Sequence, residues 1–150
     1  MQKKLPIRKK LRITEYYYSR ENIYFITICI KDRLELLGKI IKENYIELTQ
    51  EGKIVKYNIN KIEELYDNAI IHEYIIMPNH IHMLLEIKNK KNVTISKMIK
   101  HYKANVSREI TYSIWQKSFY EHIVRNEKEY LKITEYIQNN IINWKKDKYF

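Results

Sequence analysis

Two histidines separated by a single residue are the first side chains in this sequence whose spacing indicates chemistry. His80 and His82 flank Ile81 in the segment 77–85, M-P-N-H-I-H-M-L-L. Side chains on a β-strand repeat with a period of two, so both imidazoles would leave the same face of a strand. Such a pair can bind a divalent cation and leave its remaining positions open for substrate and water. The alternative is an ordinary polar outer face.

A tyrosine and an asparagine nearer the C-terminus form a second candidate group. Tyr136 and Asn140 are four residues apart in Y-I-Q-N-N, and residues at that spacing share one face of a helix. A phenol and a carboxamide oxygen would then point to one place. The alternative is a core-edge tyrosine followed by a fraying helix end, and Tyr120 and Tyr130 compete as nucleophile candidates. The remaining histidines are interpreted as surface or rim residues: His72, His101 and His122.

The elements that must position these residues alternate between strands and helices. β-branched and aromatic runs predict strands, helical spacing of apolar residues predicts helices, and Gly38 is interpreted as a break after a short apolar patch. The predicted segments are strands at 23–31 and 45–48, a helix from Thr49 to about residue 66, a hairpin of 69–77 and 80–87, a helix at 94–111, a strand at 120–124 and a helix from 127 to about 144. This order predicts an α+β, ferredoxin-like βαββαβ sandwich: an antiparallel sheet with helices on one face, plus a C-terminal helix that carries the tyrosine.

Length and composition limit the class of protein. The chain has 150 residues, 45% of them hydrophobic, which suits the core of one domain. We expect a basic arm at 1–21 and one domain at 22–150. The longest apolar run, 23–30, is far shorter than the roughly 20 residues of a membrane-spanning helix. The single cysteine, Cys29, can form no internal disulfide, and no apolar signal segment follows the basic N-terminus, so we expect a cytoplasmic protein.

A surplus of positive charge indicates a polyanionic partner. The 28 Lys and Arg residues exceed the 18 Asp and Glu residues, giving a formal charge of +10. This favours DNA, RNA or anionic lipid as a partner, although the codon bias of an AT-rich genome would also enrich lysine. Fourteen tyrosines add surfaces on which single-stranded bases can stack. Four basic residues recur at helical spacing on the predicted second helix: Lys97, Lys100, Lys103 and Arg108.

Several ordered segments resemble the sequence blocks of a known family. The segment 77–85 is similar to the HUH strand of the single-tyrosine HUH transposases of small insertion sequences, most closely to the REP-associated tyrosine transposases. The segment 115–127, W-Q-K-S-F-Y-E-H-I-V-R-N-E, resembles the family's W-Q-x-S-F-Y-D-H-x-I-R-x-E block, and 136–140 resembles its Y-I-x-x-N-P block. The opening segments 16–19 and 24–29 are similar to Y-D-Y-S and Y-F-V-T-I-C. The resemblance covers nearly the whole chain.

The resemblance implies a role for each candidate residue. His80 and His82 would bind a divalent cation, Mg²⁺ or Mn²⁺, with Asn140 as the third ligand and Tyr136 as the nucleophile. The implied reaction is transesterification on single-stranded DNA at hairpin or palindromic repeats, through a 5′-phosphotyrosine link that another 3′-OH resolves. Imidazoles suit Mn²⁺ better than Mg²⁺, so we expect Mn²⁺ to bind more tightly. The residues expected to hold the DNA backbone are Lys97, Lys100, Lys103, Arg108 and Arg125.

The sequence departs from the family pattern at one position, and it is compatible with two alternative functions. Ile141 stands where the family often has proline, so we expect the last helix to continue past Asn140. A basic, tyrosine-rich sheet is also compatible with a non-catalytic single-stranded nucleic-acid-binding domain. The histidine pair is compatible with a metal-dependent hydrolase that uses a His-bound water. The sequence does not decide between a homodimer and a monomer.

Overall fold

The secondary structure follows the predicted order of elements. The computed structural model describes residues 22–42, 45–88 and 94–146, so the predicted arm at 1–21 lies outside the described residues. The strands are β1 (Ile23–Cys29), β2 (Gly38–Lys42), β3 (Tyr45–Leu48), β4 (Ala69–Met77), β5 (His80–Ile87) and β6 (Tyr120–Ile123). The helices are α1 (Gln50–Leu65), α2 (Ile95–Ile110) and α3 (Glu127–Gln138). Within these ranges, no helix combines the length and the apolar character that crossing a membrane requires.

Four strands form the central antiparallel sheet in the order β4-β5-β1-β6. β1 lies in the middle and pairs antiparallel with both β5 and β6. With α1 between β1 and β4 and α2 between β5 and β6, this is the ferredoxin-like βαββαβ arrangement. The predicted α+β fold is therefore confirmed. β2 and β3 form a separate two-stranded ribbon between β1 and α1.

The two faces of the sheet are covered by different helices because side chains alternate along each strand. One face of β5 packs with α1 and α2 in the larger core cluster. On the other face, Leu84 packs with Tyr130 and Ile137 of α3 in a smaller cluster. His80 and His82 alternate with the residues of the larger cluster, so they face the α3 layer. The β5 residues of the larger cluster are Ile81, Met83, Leu85 and Ile87.

Each helix begins at a side chain that caps its free N–H groups. Thr49 caps α1, Thr94 caps α2 and Asn126 caps α3. α1 also packs very close to the preceding chain at Gly52, where an added Cβ would lie 2.0 Å from the carbonyl oxygen of Leu37. A larger residue at that position would push α1 away from the segment that contains Leu37.

The ribbon strand β2 and the end of α3 differ from the sequence predictions. β2 was not predicted; Gly38 begins it, and an added Cβ there would lie 2.9 Å from the carbonyl oxygen of Glu47 on β3. The last helix was expected to continue past Asn140 to about Trp144, which is wrong. α3 ends at Gln138, and a turn leads to a short 3-10 helix at Trp144–Lys146. Two consecutive asparagines are poor helix formers, so Ile141 does not extend the helix.

Candidate active site

The two histidines lie side by side at the start of β5. Both are buried, with 0% of His80 and 1% of His82 exposed. Their ring centroids are 4.6 Å apart. The two-residue connection Pro78–Asn79 fixes where β5 begins, and the alternation of the strand directs both imidazoles to the α3 layer. The pair thus occupies one small volume between the sheet and the C-terminal part of the chain.

Each imidazole is oriented through its Nδ1 atom. Nδ1 of His80 lies 2.7 Å from Oδ1 of Asn79, and Nδ1 of His82 lies 2.9 Å from Oγ1 of Thr27. Because a carboxamide oxygen only accepts hydrogen bonds, Nδ1 of His80 carries the proton and Nε2 has the lone pair. Metal-binding histidines are held in this way by an outer partner on one ring nitrogen. The pair therefore fits a divalent cation bound through Nε2.

Removal of the Thr27 hydroxyl tests whether its contact with His82 prepares the histidine pair to bind a cation. Thr27→Val keeps the β-branched shape and removes the group that orients His82. We expect Mn²⁺ affinity, measured by isothermal titration calorimetry, to fall about 10- to 100-fold. Thr134→Val is the matched control, because the Thr134 hydroxyl has no hydrogen-bond partner within the described ranges. Equal Mn²⁺ affinity of Thr27→Val and the wild type would contradict this interpretation of the His82 contact.

Tyr136 reaches the histidine pair from α3. Its hydroxyl oxygen lies 3.4 Å from Nε2 of His82, and the two ring centroids are 5.2 Å apart. The side chain is 39% exposed. α3 is held against the sheet by the buried side chains of Tyr130 and Ile137. The phenol therefore contacts the imidazole on one side and remains accessible to a substrate on the other.

Phe25 on β1 packs against both the nucleophile candidate and His82. Its ring stacks on His82 at a centroid distance of 5.1 Å and meets Tyr136 edge-on at 6.2 Å. Sequence reasoning missed Phe25 as a site residue. The available signal was its position two residues before Thr27, because both then face the same side of β1.

Asn140, the expected third ligand, lies in the turn after α3. Because α3 ends at Gln138, Asn140 does not share a helix face with Tyr136 as predicted. Its side chain is nevertheless buried, with 1% exposed, and its backbone N–H donates to the carbonyl of Ile137 at 3.3 Å. Four residues later, the Trp144 ring stacks over His80 at a centroid distance of 6.3 Å. Trp144 thus anchors the segment that contains Asn140 at the histidine pair, and the ligand role of Asn140 stays a prediction.

The side chains near His80 and His82 favour a third metal ligand that is neither a histidine nor a carboxylate. Among the described residues, no group of three His, Cys, Asp or Glu side chains could hold a metal ion. A third ligand drawn from these described residues would be of another type, such as the carboxamide oxygen of Asn140. Two imidazoles and one amide oxygen form a mixed set that Mn²⁺ accepts more readily than Mg²⁺.

A buried polar network joins α3 to β4 and β5. Glu86 is completely buried, and its Oε1 lies 2.8 Å from Nε2 of His72. Nδ1 of His72 lies 2.7 Å from the hydroxyl oxygen of Tyr130 on α3. The interpretation of His72 as a rim residue is wrong, because its side chain is only 5% exposed. A register shift between Ile71 and Glu73 makes His72 the bulged residue of β4, which turns it towards α3.

The start of α3 is fixed by Glu129. Its carboxylate accepts hydrogen bonds from the His122 ring and, at 2.8 Å, from the backbone N–H of Arg125. Partial burial raises the pKa of the Glu129 carboxyl, whereas these hydrogen bonds lower it. The lowering outweighs the raising, so the pKa lies below its usual value. Glu129 is therefore ionised at neutral pH and holds β6 and the first turn of α3 together.

The basic residues expected to hold DNA lie mostly in the layer opposite the site. Four of them are on α2, which packs with α1 on the far face of the sheet: Lys97, Lys100, Lys103 and Arg108. Lys103 is also engaged within the protein, since its Nζ donates to the carbonyls of Gln116 at 2.9 Å and Ser118 at 3.2 Å. Burial lowers the pKa of Lys103. Arg125 is exposed beside the start of α3, on the layer of the site.

Comparisons of sequence identify relatives across nearly the whole chain. No family model matches the sequence. A Haemophilus influenzae protein described as uncharacterized is 36% identical over 168 residues, which cover 95% of this chain and 93% of that protein. The REP-associated tyrosine transposase of Escherichia coli K12 is 24% identical over 136 residues, which cover 85% of this chain and 72% of that protein.

Comparisons of structure identify the same fold in two solved proteins. A REP-associated tyrosine transposase bound to a REP hairpin matches with a TM-score of 0.65 and 22% identity, over 84% of this chain and 68% of the other. A putative transposase from Deinococcus radiodurans matches with a TM-score of 0.52 and 18% identity, over 78% and 88% of the two chains. The chain thus has the fold of these solved transposases. In sequence, the chain is similar to proteins described as REP-associated tyrosine transposases, and it shares the fold of a solved member.

Proposed function

We propose that this protein is a metal-dependent single-stranded DNA endonuclease and strand transferase that cleaves and rejoins DNA through Tyr136. The observation that carries the proposal is the 3.4 Å separation between the Tyr136 hydroxyl and Nε2 of His82 within one chain. In this proposal, Tyr136 acts beside the histidine pair of its own chain. The related transposase bound to a REP hairpin supports hairpin DNA as the substrate.

The cleavage step is a displacement at phosphorus. The Tyr136 oxygen forms a bond to the phosphorus of a phosphodiester, and the bond between phosphorus and the 3′ oxygen breaks. The phenolic proton leaves to solvent, to which the side chain is 39% exposed, and the departing 3′ oxygen takes up a proton. The products are a 5′-phosphotyrosine and a free 3′-OH. A second 3′-OH then attacks the same phosphorus and releases Tyr136, so one ester replaces another without an external energy source.

A metal ion held by the histidine pair would increase the reactivity of the Tyr136 phenol. A phenol titrates near ~10, so it is a weak nucleophile at neutral pH unless its pKa is lowered. His80, His82 and Asn140 would hold Mg²⁺ or Mn²⁺, which when bound lowers the pKa of the phenol and neutralises charge on the phosphate oxygens. Phe25 and Trp144 cover the two imidazoles and exclude water from them, which strengthens electrostatic interactions at this place.

The distribution of charge indicates the path of the DNA. The exposed basic residues of α2 lie on the far layer, whereas Tyr136 lies on the near layer. The contacts of Lys103 with the chain just before β6 place α2 beside the β6 edge of the sheet. In our proposal, α2 holds the hairpin stem by its phosphates, and the single strand passes over the β6 edge towards Tyr136, with Arg125 beside it.

A denaturing gel tests this function. Labelled single-stranded hairpin DNA is incubated with the protein and Mn²⁺, with and without a chelator. We expect a covalent protein–DNA adduct that the chelator and His80→Ala abolish, whereas His101→Ala, which changes an exposed histidine on α2, retains it. Hydrolysis without an adduct would indicate a hydrolase that uses a His-bound water. Binding that is insensitive to the chelator, with no cleavage, would indicate a simple binding domain.

A further inference from the structure

Tyr120 lies on the face of the sheet that carries the histidine pair. In the strand register, Thr27 of β1 is opposite His82 of β5 on one side and opposite Tyr120 of β6 on the other. Residues directly opposite in antiparallel strands extend their side chains to the same face. Two strand spacings separate His82 and Tyr120 by roughly 10 Å. α3 packs over β4 and β5, whereas β6 is an edge strand.

The alternation of β6 supports this orientation independently. Ile123 packs against the larger cluster on the α1 and α2 side. Tyr120 is three residues earlier on the strand, so it faces the opposite side, as does His122. The Tyr120 side chain is 51% exposed. An aromatic ring on the histidine face is therefore open to solvent beside the cleavage site.

The backbone that presents Tyr120 is held on both sides. Before the strand, Lys103 donates to the carbonyls of Gln116 and Ser118, and Phe119 packs against the larger core cluster. Along the strand, Tyr120 is paired with Thr27 of β1. Because this backbone is already ordered, less conformational entropy of the protein is lost when a ligand binds there.

Other exposed tyrosines in the described ranges occupy different places. Tyr45 and Tyr57 line a cleft between β3 and α1. Tyr112 follows α2 and donates its hydroxyl to Glu51 at 3.1 Å. Apart from the nucleophile candidate Tyr136, Tyr120 is the exposed tyrosine of these ranges that shares the histidine face.

We propose that Tyr120 is a stacking site for one nucleobase of single-stranded DNA, one to a few nucleotides from the phosphate that Tyr136 attacks. The inference rests on the proposed function for its position relative to the cut. Lys117 is exposed before β6 and Arg125 after it, so basic side chains flank the strand at both ends. They can hold the sugar-phosphate backbone while one base lies on the Tyr120 ring.

The test uses the full chain and an oligothymidylate in which single thymines are replaced by 5-iodouracil. Irradiation links this base to an aromatic ring on which it stacks, and mass spectrometry identifies the residue. The assay requires neither cleavage nor metal. We expect a crosslink at Tyr120, and a loss of affinity of about 5- to 100-fold in Tyr120→Leu, the range that base–aromatic stacking supplies. Tyr120→Phe keeps the ring and restores binding, and Tyr112→Ala is the control for an exposed tyrosine on the other layer.

Each outcome bears on one proposal. A crosslink confined to Tyr45 or Tyr57, unchanged affinity of Tyr120→Leu, or no binding of the oligonucleotide would overturn the stacking site. If the stacking site is correct but the proposed function is wrong, a crosslink forms at Tyr120 and no covalent adduct forms at Tyr136. Near-wild-type thermal unfolding of Tyr120→Leu, followed by circular dichroism, shows that the fold of the variant is intact.

Discussion

We expect Tyr136→Phe to abolish the covalent protein–DNA adduct. The variant retains the ring that packs on Phe25 and His82 and loses only the oxygen proposed to form the bond to phosphorus. Because no other atom of this side chain can replace that oxygen, we expect a loss of about three orders of magnitude or more in the rate of strand cleavage. The measurement is a time course of adduct formation on labelled hairpin DNA with Mn²⁺.

The controls for this variant separate chemistry from binding. DNA affinity of Tyr136→Phe should remain within a few-fold of the wild type, because the phenyl ring still fills its place on α3. Tyr112→Phe removes a phenol from the other layer of the protein and should form adduct at the wild-type rate. An adduct that persists in Tyr136→Phe would transfer the nucleophile role to another residue and remove the basis of the proposed reaction.

His72→Leu should destabilise the fold strongly. The change removes the partner of a completely buried carboxyl group, whose Oε2 already has no hydrogen-bond partner in the described part of the chain. Breaking a buried pair in this way costs about 3–5 kcal/mol, because the remaining group stays desolvated without compensation. The free energy of unfolding, measured by urea titration, should fall by that amount. Cleavage by the folded fraction should also slow, since His72 fixes Tyr130 and with it α3.

A double variant tests the cause of this loss. His72→Leu with Glu86→Leu removes both polar partners and fills the same volume with apolar groups, so most of the stability should return. A double variant as unstable as His72→Leu alone would mean that packing, and not the orphaned carboxyl, accounts for the effect. Restored stability with slow cleavage would separate the folding role of the network from its role in holding the tyrosine helix.

The parts of the fold set by local pattern were predictable from the sequence. Thr49 caps α1 as expected, and the hairpin around Pro78–Asn79 is formed by β4 and β5 at the predicted bounds. The same strand alternation correctly placed His80 and His82 on one face. These features depend on residues close in sequence, so periodicity and turn chemistry suffice to predict them.

Features that depend on contacts distant in sequence were not predictable in this way. The bulge that buries His72 is a property of the β4–β5 pairing, and the partner of His72 on α3 is 58 residues away. The contact between Phe25 and His82 likewise exists only after β1 and β5 pair. The layer that contains the basic helix α2 could have been predicted from the sequence. Both crossover helices of a βαββαβ fold pack on the same face of the sheet. The two histidines alternate with the core residues of that face, so they must lie on the opposite one.

The most direct test of the account is to identify the residue that becomes linked to DNA. Wild-type protein is incubated with single-stranded hairpin DNA and Mn²⁺, digested with protease and nuclease, and analysed by mass spectrometry. The account predicts a 5′-phosphodeoxynucleotide on the peptide containing Tyr136, at its phenol oxygen, and no such modification when a chelator is present. A modified peptide containing Tyr120 or Tyr130 instead, or cut DNA with no modified peptide, would contradict it.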